Sequence, residues 1–272
     1  MRKQLETVRE SHPLIQNITN YVTVNDCANI LLACGASPIM SDYVGEAEEI
    51  AAICAGLNIN MGTLNPDTVA TMLAAGRKCN EIGHPVVLDP VGVGASKWRT
   101  DSARLLLNEI QFSVIRGNIS EIKTLAMGSG TTKGVDADEA DAVTEENLDE
   151  VIALAKALAE STGSVIAISG ATDIVADTEK AYVIRNGHAM MSRVTGTGCM
   201  LSAMTAAYVA ANQVTLLEAA AAATIAMGLC GEIAYERMTE QDGNSSYRNY
   251  LIDAIYRLDG ETLEGGANYE IR

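Results

Sequence analysis

The side chains able to do chemistry gather at a few short places in this chain. The run Val194-Thr195-Gly196-Thr197-Gly198-Cys199-Met200-Leu201-Ser202-Ala203 passes from a glycine-broken turn into an alanine-rich helix at the point where a thiol, Cys199, stands. Gly196 and Gly198 let successive N–H groups converge on one point, and the helix start behind them adds partial positive charge. Such a pocket binds and stabilises an anion. A nucleophile-activating side chain at its mouth is what phosphoryl transfer to a small alcohol requires.

In an open α/β sheet, ligands collect beyond the carboxyl ends of the strands, so polar residues that close apolar runs come next. Asp89 closes the run Val86–Asp89 before Pro90 and Gly92 turn the chain. It either caps that turn or faces a ligand and holds Mg²⁺, directly or through water. Arg116 closes the following run just before Gly117, where its planar donor fork can clamp phosphates. Asn118 and Glu121 have the spacing of an N-cap and its capping box, and Glu121 could also serve Mg²⁺ as a carboxylate. Ser169 closes a fourth run before Gly170 and reads equally as a phosphate or nucleotide contact or as a turn residue. Near the N-terminus, residues 17–29 pack amides and hydroxyls before a helix. Asn25 either caps that helix or helps to orient a small polar heterocycle, with Ser37–Met40 as an apolar wall. His12, His84 and His188 have no mutual spacing that suggests a triad or a metal site, and they read as loop residues.

The elements that must position these groups alternate. Apolar runs at 37–40, 57–61, 85–89, 113–116, 164–169, 173–177 and 181–185 read as strands, and 24–34, 46–55, 66–82, 100–109, 120–127 and 145–161 as helices. That order predicts a single α/β domain over 1–272 with a mostly parallel sheet, the last two strands forming an antiparallel hairpin. From Thr197 onward the pattern is helical, with breaks near Gln213 and Gly243. The stretch 128–141, with Gly128-Ser129-Gly130 and an acidic tract, reads as a solvated loop or a flap over the site. The alanine run at 219–223 suits close helix packing.

Composition excludes several classes. A net charge of −16 argues against a nucleic-acid footprint, and any nucleotide must be neutralised locally by Mg²⁺ and a few placed cations. The six cysteines form no C-x-x-C pair and sit beside no histidine, which argues against a zinc site and a disulfide framework. The apolar stretch at 216–226 is shorter than the roughly 20 residues of a membrane span. The first residues lack the apolar core of a signal peptide, so a soluble, cytoplasmic protein is expected.

Taken together, Ile18-Thr19-Asn20 with Asn25 and Ala28-Asn29, Gly35 to Met40, Asn60-Met61-Gly62-Thr63-Leu64, Leu88 to Gly92, Ile115 to Asn118 with Glu121, and Val194 to Cys199 resemble the hydroxyethylthiazole kinase family of the ribokinase-like superfamily. The resemblance spans essentially the whole chain. It implies a three-layer αβα fold and ATP-dependent phosphorylation of the hydroxyl of 4-methyl-5-(2-hydroxyethyl)thiazole in thiamin salvage. It also implies a homotrimer with sites at subunit interfaces, Met40 and Gly196 at thiazole-binding positions, Arg116 and Ser169 at ATP-binding positions, and Asp89 and Glu121 near the Mg²⁺-nucleotide. Most ribokinase-like sugar kinases carry an Asp general base where this chain has Cys199. A free thiol is mostly protonated at neutral pH unless the helix start lowers its pKa, so Cys199 is a conditional base and slow turnover is expected. Three other readings stay open: a kinase of a different alcohol such as hydroxymethylpyrimidine, an ATP-dependent dehydratase of hydrated nicotinamide cofactors, and a catalytically silent nucleotide-binding protein.

Overall fold

The computed structural model describes residues 1–127 and 143–272. The stretch read as a flap or solvated loop lies outside the described residues. Among them, one sheet runs in the order β2-β1-β3-β4-β5-β6-β7-β8-β9. Its strands are β1 (Leu14–Ile18), β2 (Ser37–Met40), β3 (Gly56–Asn60), β4 (Val86–Asp89), β5 (Val114–Asn118), β6 (Val165–Ser169), β7 (Asp173–Ala176), β8 (Ala181–Ile184) and β9 (Tyr269–Ile271). The pairs from β2 through β6 are parallel, and β7, β8 and β9 add antiparallel.

Side chains alternate across this sheet and feed two cores. Ile15, Val87, Val114 and Val165 point to one face, where α1 (Arg2–Ser11), α2 (Val24–Cys34), α8 (Thr197–Ala211), α9 (Leu216–Glu236), α10 (Asn244–Arg257) and α11 (Gly260–Gly266) pack. Ile18, Leu57, Ile59, Leu88 and Ile115 point to the other, against α3 (Ala47–Ile53), α4 (Pro66–Ile82), α5 (Lys97–Glu109), α6 (Ile119–Met127) and α7 (Leu148–Thr162). A strand covered on both faces reads as a near-continuous apolar run, which is why β4 and β6 are visible in the sequence. The expected three layers are present.

Local chemistry sets the ends of the helices. At α4, Asn65 accepts from the backbone of Asp67 and Thr68 while the Thr68 hydroxyl answers the Asn65 N–H, and Pro66 fills the first position. Helices α5 and α7 begin at Lys97 and Leu148 rather than 100 and 145, since Ser96 caps the first and Asn147 precedes the second.

Three readings change, one of them the stretch after Thr197 that was expected to be helical throughout, where Tyr269–Ile271 pairs with β8 as β9. Strand β1 was absent from the predicted set because Gln16 and Asn17 interrupt its apolar pattern, yet both are buried. The apolar segment at 216–226 continues to Glu236, so α9 has 21 residues and is long and apolar enough to reach membrane-spanning length. Most of it is buried inside the fold, and Ala219 to Ala223 are fully covered where α9 packs on α8. It is a core helix.

Candidate active site

Strands β3, β4, β5 and β6 end side by side, and α8 starts over them. Gly196 holds φ +89° as the residue before α8, and a Cβ there would sit 2.4 Å from Thr23 Cγ2, so both conformation and space call for glycine. No side chain caps this start. Met200 N bonds back to Gly196 O at 2.8 Å, which leaves the amides of the first turn pointing out of the helix toward the strand ends. Gly198 lies so close to Arg116 that a Cβ would be 2.7 Å from Nη1. The anion pocket and the arginine are one place.

Asp89 lies at the centre, fully buried. Its Oδ2 accepts from Ser202 Oγ (2.7 Å) and Asn60 Nδ2 (2.8 Å), with Arg116 Nη1 at 3.5 Å. Its Oδ1 is buried with no hydrogen-bond partner among the described residues. Burial raises the pKa of Asp89, and Arg116, Ser202 and Asn60 oppose the rise. Arg116 donates through Nη2 to Ser169 Oγ, which joins the ends of β5 and β6 and settles Ser169 as an arginine partner within the site.

Glu121 is buried beside them in a different manner. One oxygen accepts from Gly92 N (2.8 Å), and the other accepts from Asn118 N (2.9 Å) while Asn118 Oδ1 answers Glu121 N (2.9 Å). The capping box is therefore real, and Glu121 also pins the turn after β4. Burial, then the Asp89 charge, push its pKa up to about 7.

Cys199 is half-buried, and its Sγ accepts from Asn20 Nδ2 and Asn60 Nδ2, each at 3.3 Å. Burial and the charge of Asp89 raise its pKa above the ordinary thiol value, against the lowering that a helix start would give. At neutral pH the thiol keeps its proton.

Met40, at the end of β2, packs on the core beneath α2 and α8 and pairs in register with Asn17 of β1. Asn25 stands apart from this cluster. It is exposed on α2, its side chain accepts from Asn29 a turn later, and Thr23 occupies the cap position. Four participants carried no assigned role in the sequence reading. Asn20, Asn60 and Ser202 tie the thiol to Asp89, and Asp173 at the start of β7 accepts from Gly170 N (2.8 Å), buried enough for its pKa to rise to about 7. The signal for Asn60 is Asn58-Ile59-Asn60, polar residues two apart on one face of an otherwise apolar strand. Arg99 completes the frame by donating to the carbonyls of Met61, Gly62 and Val91, which fastens the turns after β3 and β4 together.

With this geometry in place, the likeness to known proteins is informative. The model of the hydroxyethylthiazole kinase family matches residues 5–261. The chain belongs to that family. A hydroxyethylthiazole kinase of Clostridium acetobutylicum is 63% identical over 270 residues, covering 99% of each chain, and one of Clostridium tetani is 50% identical over 253 residues, covering 93% of this chain and 90% of the other. The solved hydroxyethylthiazole kinase structure from Pyrococcus horikoshii superposes with a TM-score of 0.88 at 36% identity, over 100% of this chain and 98% of that one. Pyridoxal kinase of Staphylococcus aureus in complex with ADP shares the fold, with a TM-score of 0.62 at 14% identity over 96% of this chain and 98% of that one. The fold is thus ribokinase-like, as the resemblance implied. All the family segments around Asp89, Arg116, Glu121 and Gly196 converge at the carboxyl edge of the sheet.

Proposed function

We infer that this chain phosphorylates the hydroxyl of 4-methyl-5-(2-hydroxyethyl)thiazole at the expense of ATP, the reaction of thiamin salvage. The observation that carries the reading is the meeting of the uncapped α8 start, Arg116 and Asp89 at one point, in a chain 63% identical along its length to a hydroxyethylthiazole kinase. The amides of Gly198 and Cys199 are placed to receive charge on the transferring phosphoryl group, and Arg116, oriented by Asp89 and Ser169, adds its donor fork. Phosphoryl transfer is loose, so positioning and charge stabilisation supply most of the rate. With its proton held at neutral pH, Cys199 contributes less as a base than the amides contribute as donors. Met40 supplies the apolar contact for the thiazole ring, and Asn25, exposed in the single chain, reaches a thiazole only where a neighbouring subunit completes the site.

Mg²⁺ fits the residues present. Among the described residues no group of three or more His, Cys, Asp or Glu forms a cage. The buried, partnerless Asp89 Oδ1 is a hard oxygen donor left over, and Glu121 lies close enough to feel its charge. A cation held by one or two carboxylates, with phosphates and water completing its shell, is the habit of Mg²⁺. Asp89 and Glu121 would hold it, and it would neutralise nucleotide phosphates in an acidic protein. We also propose a homotrimer. Tyr21, Val22, Tyr43 and Val44, exposed beyond the ends of β1 and β2, give the Met40 side of the site an apolar rim suited to a neighbouring copy. All six cysteines are free, which suits a reducing cytoplasm.

The deciding experiment is ADP release from ATP and Mg²⁺ with and without the thiazole alcohol. Thiazole-dependent ADP is expected. Equal or greater ADP release with hydroxymethylpyrimidine moves the substrate to that alcohol, and restoration of NADH from its hydrate would instead favour the dehydratase reading.

A further inference from the structure

Cys199 sits between two asparagine side chains whose hydrogen bonds are fully committed. Asn60 Nδ2 donates to Asp89 Oδ2 (2.8 Å) and to Cys199 Sγ (3.3 Å), while its Oδ1 accepts from Gly62 N and Asn20 Nδ2, both at 2.9 Å. Asn20 Nδ2 donates to Asn60 Oδ1 and to Cys199 Sγ (3.3 Å), and its Oδ1 accepts from Thr23 N and Thr23 Oγ1, both at 3.1 Å. Asp89 fixes the sense of this chain. A flipped Asn60 amide would set its oxygen against the Asp89 carboxylate, so the nitrogen must face Asp89 and the sulfur together. The Asn60 oxygen then dictates that Asn20 also turns its nitrogen to the sulfur.

We propose that Asn20 and Asn60 are positioning residues for the phosphoryl transfer, aiming two N–H groups at Cys199 so that the sulfur is held at the mouth of the α8 anion pocket and the small thiolate fraction present at neutral pH is favoured. A thiol sulfur has two lone pairs and a thiolate three. Two amide donors leave the thiolate one lone pair for the hydroxyl of the bound alcohol. Donors to the charged form favour that form, whereas a merely structural polar contact would be indifferent to it. The other groups facing the sulfur are Asp89 from β4, Arg116 from β5 beside Gly198, Thr23, and Cys27 from α2. Thr23 Oγ1 donates to Asn20 Oδ1 at 3.1 Å and from its side also opposes the rise in the thiol's pKa, so the two amides are the donors whose direction the network fixes. Each asparagine also steadies its own turn through Oδ1, Asn60 accepting from Gly62 N and Asn20 from Thr23 N, contacts that an aspartate would keep, so it is the amide nitrogens that are left for the sulfur.

This inference rests on the kinase reading for its role in turnover, but its central contact is tested without turnover. The other five cysteines are buried, so alkylation by iodoacetamide, in which the sulfur bonds to carbon and iodide leaves, reports Cys199, with Cys199→Ala as the blank. In Asn20→Ala the alkylation pH profile is expected to move to higher pH and kcat to fall roughly tenfold or more, the size of a lost hydrogen bond to a charged group. The KM for ATP should hold within about twofold, since the partners of the Asn20 side chain are Asn60, Cys199 and Thr23 and not Arg116. Asn20→Asp, which keeps the acceptors for Thr23 and removes the donors, guards against a folding artefact and should behave the same way. In a Cys199→Asp background, where a carboxylate needs far less help than a thiol to ionise, Asn20→Ala should cost much less in kcat. An unchanged alkylation profile in both Asn20 variants, or an equal kcat loss in both backgrounds, overturns the proposal. A normal alkylation shift in a chain that releases no ADP with the thiazole alcohol would leave the amide contact standing and reject the kinase assignment.

Discussion

Asp89 and Glu121 are two buried carboxylates at the ends of neighbouring segments, and the protein uses them differently. Glu121 bonds through both oxygens to backbone N–H groups, of Gly92 and Asn118, and so fixes a turn and a helix start. Asp89 gathers Ser202, Asn60 and Arg116 on a single oxygen and leaves the other buried and unpaired. A buried acceptor without a partner costs stability, on the order of 1–3 kcal/mol, unless a ligand completes it. The contrast is between a carboxylate that fixes backbone with both oxygens and one that keeps an oxygen unpaired. Sequence spacing alone gave both the same candidate role near Mg²⁺.

Substitution should widen this contrast. The largest effect is expected for Asp89→Asn, which retains shape and one acceptor but removes the charge and the spare oxygen. Steady-state kinetics should show activity falling by a factor of roughly 10² or more, in the range found when a preorganised electrostatic group is lost. Its Tm should stay within about 2 °C of the parent, near 1 kcal/mol for a domain of this size. Activity retained in Asp89→Asn would remove Asp89 from the machinery. Glu121→Ala should do the reverse. It leaves two backbone N–H groups without their acceptor and deletes a capping box, so urea unfolding should register a loss of about 1–3 kcal/mol. Its activity should fall less than that of Asp89→Asn. If Glu121→Ala proves as stable as the parent and as inactive as Asp89→Asn, the distinction collapses.

The same division explains what could be read from the chain before its fold. Asp89, Arg116, Ser169 and Gly196 were found because each closes an apolar run or breaks one, and strand ends in such sheets are where ligands collect. Their reach across strands was not visible. Asn60 resembles a turn former ahead of Met61-Gly62, and Ser202 lies one turn into an alanine-rich helix, yet both bond Asp89 from elements far apart in sequence. Strand β1 escaped notice because Gln16 and Asn17 are polar at fully covered positions, against the usual pattern of a central strand. β9 has only three residues, and its pairing with β8 is a tertiary choice with little local signal. Asn25 drew attention through the density of amides around it, while the amide of that segment that reaches Cys199 is Asn20. A helix sorts its neighbours by face, and the turn before α2 sends Asn20 inward as Asn25 points out.

The smallest of these effects is in the pH dependence of stability, and its sign is informative. Glu121 and Asp173 both have pKa values near 7 in the folded chain, raised from ordinary carboxylate values by burial. The folded state therefore binds more protons than the unfolded chain between roughly pH 4 and 7, and stability must fall as pH rises through that window. Thermal unfolding of the ligand-free protein at pH 5 and 7.5 should show the higher Tm at pH 5. Asp173→Asn, which keeps an acceptor for Gly170 N, should flatten part of the slope. Mg²⁺ with a nucleotide should flatten the part that belongs to Glu121 and Asp89, because a cation bound there stabilises their ionised forms, while the Asp173 part should persist. A Tm that climbs from pH 5 to 7.5 without ligand would mean that both carboxylates are ionised at the lower pH, and Glu121 would then carry a standing charge beside Asp89 whether or not a cation is bound.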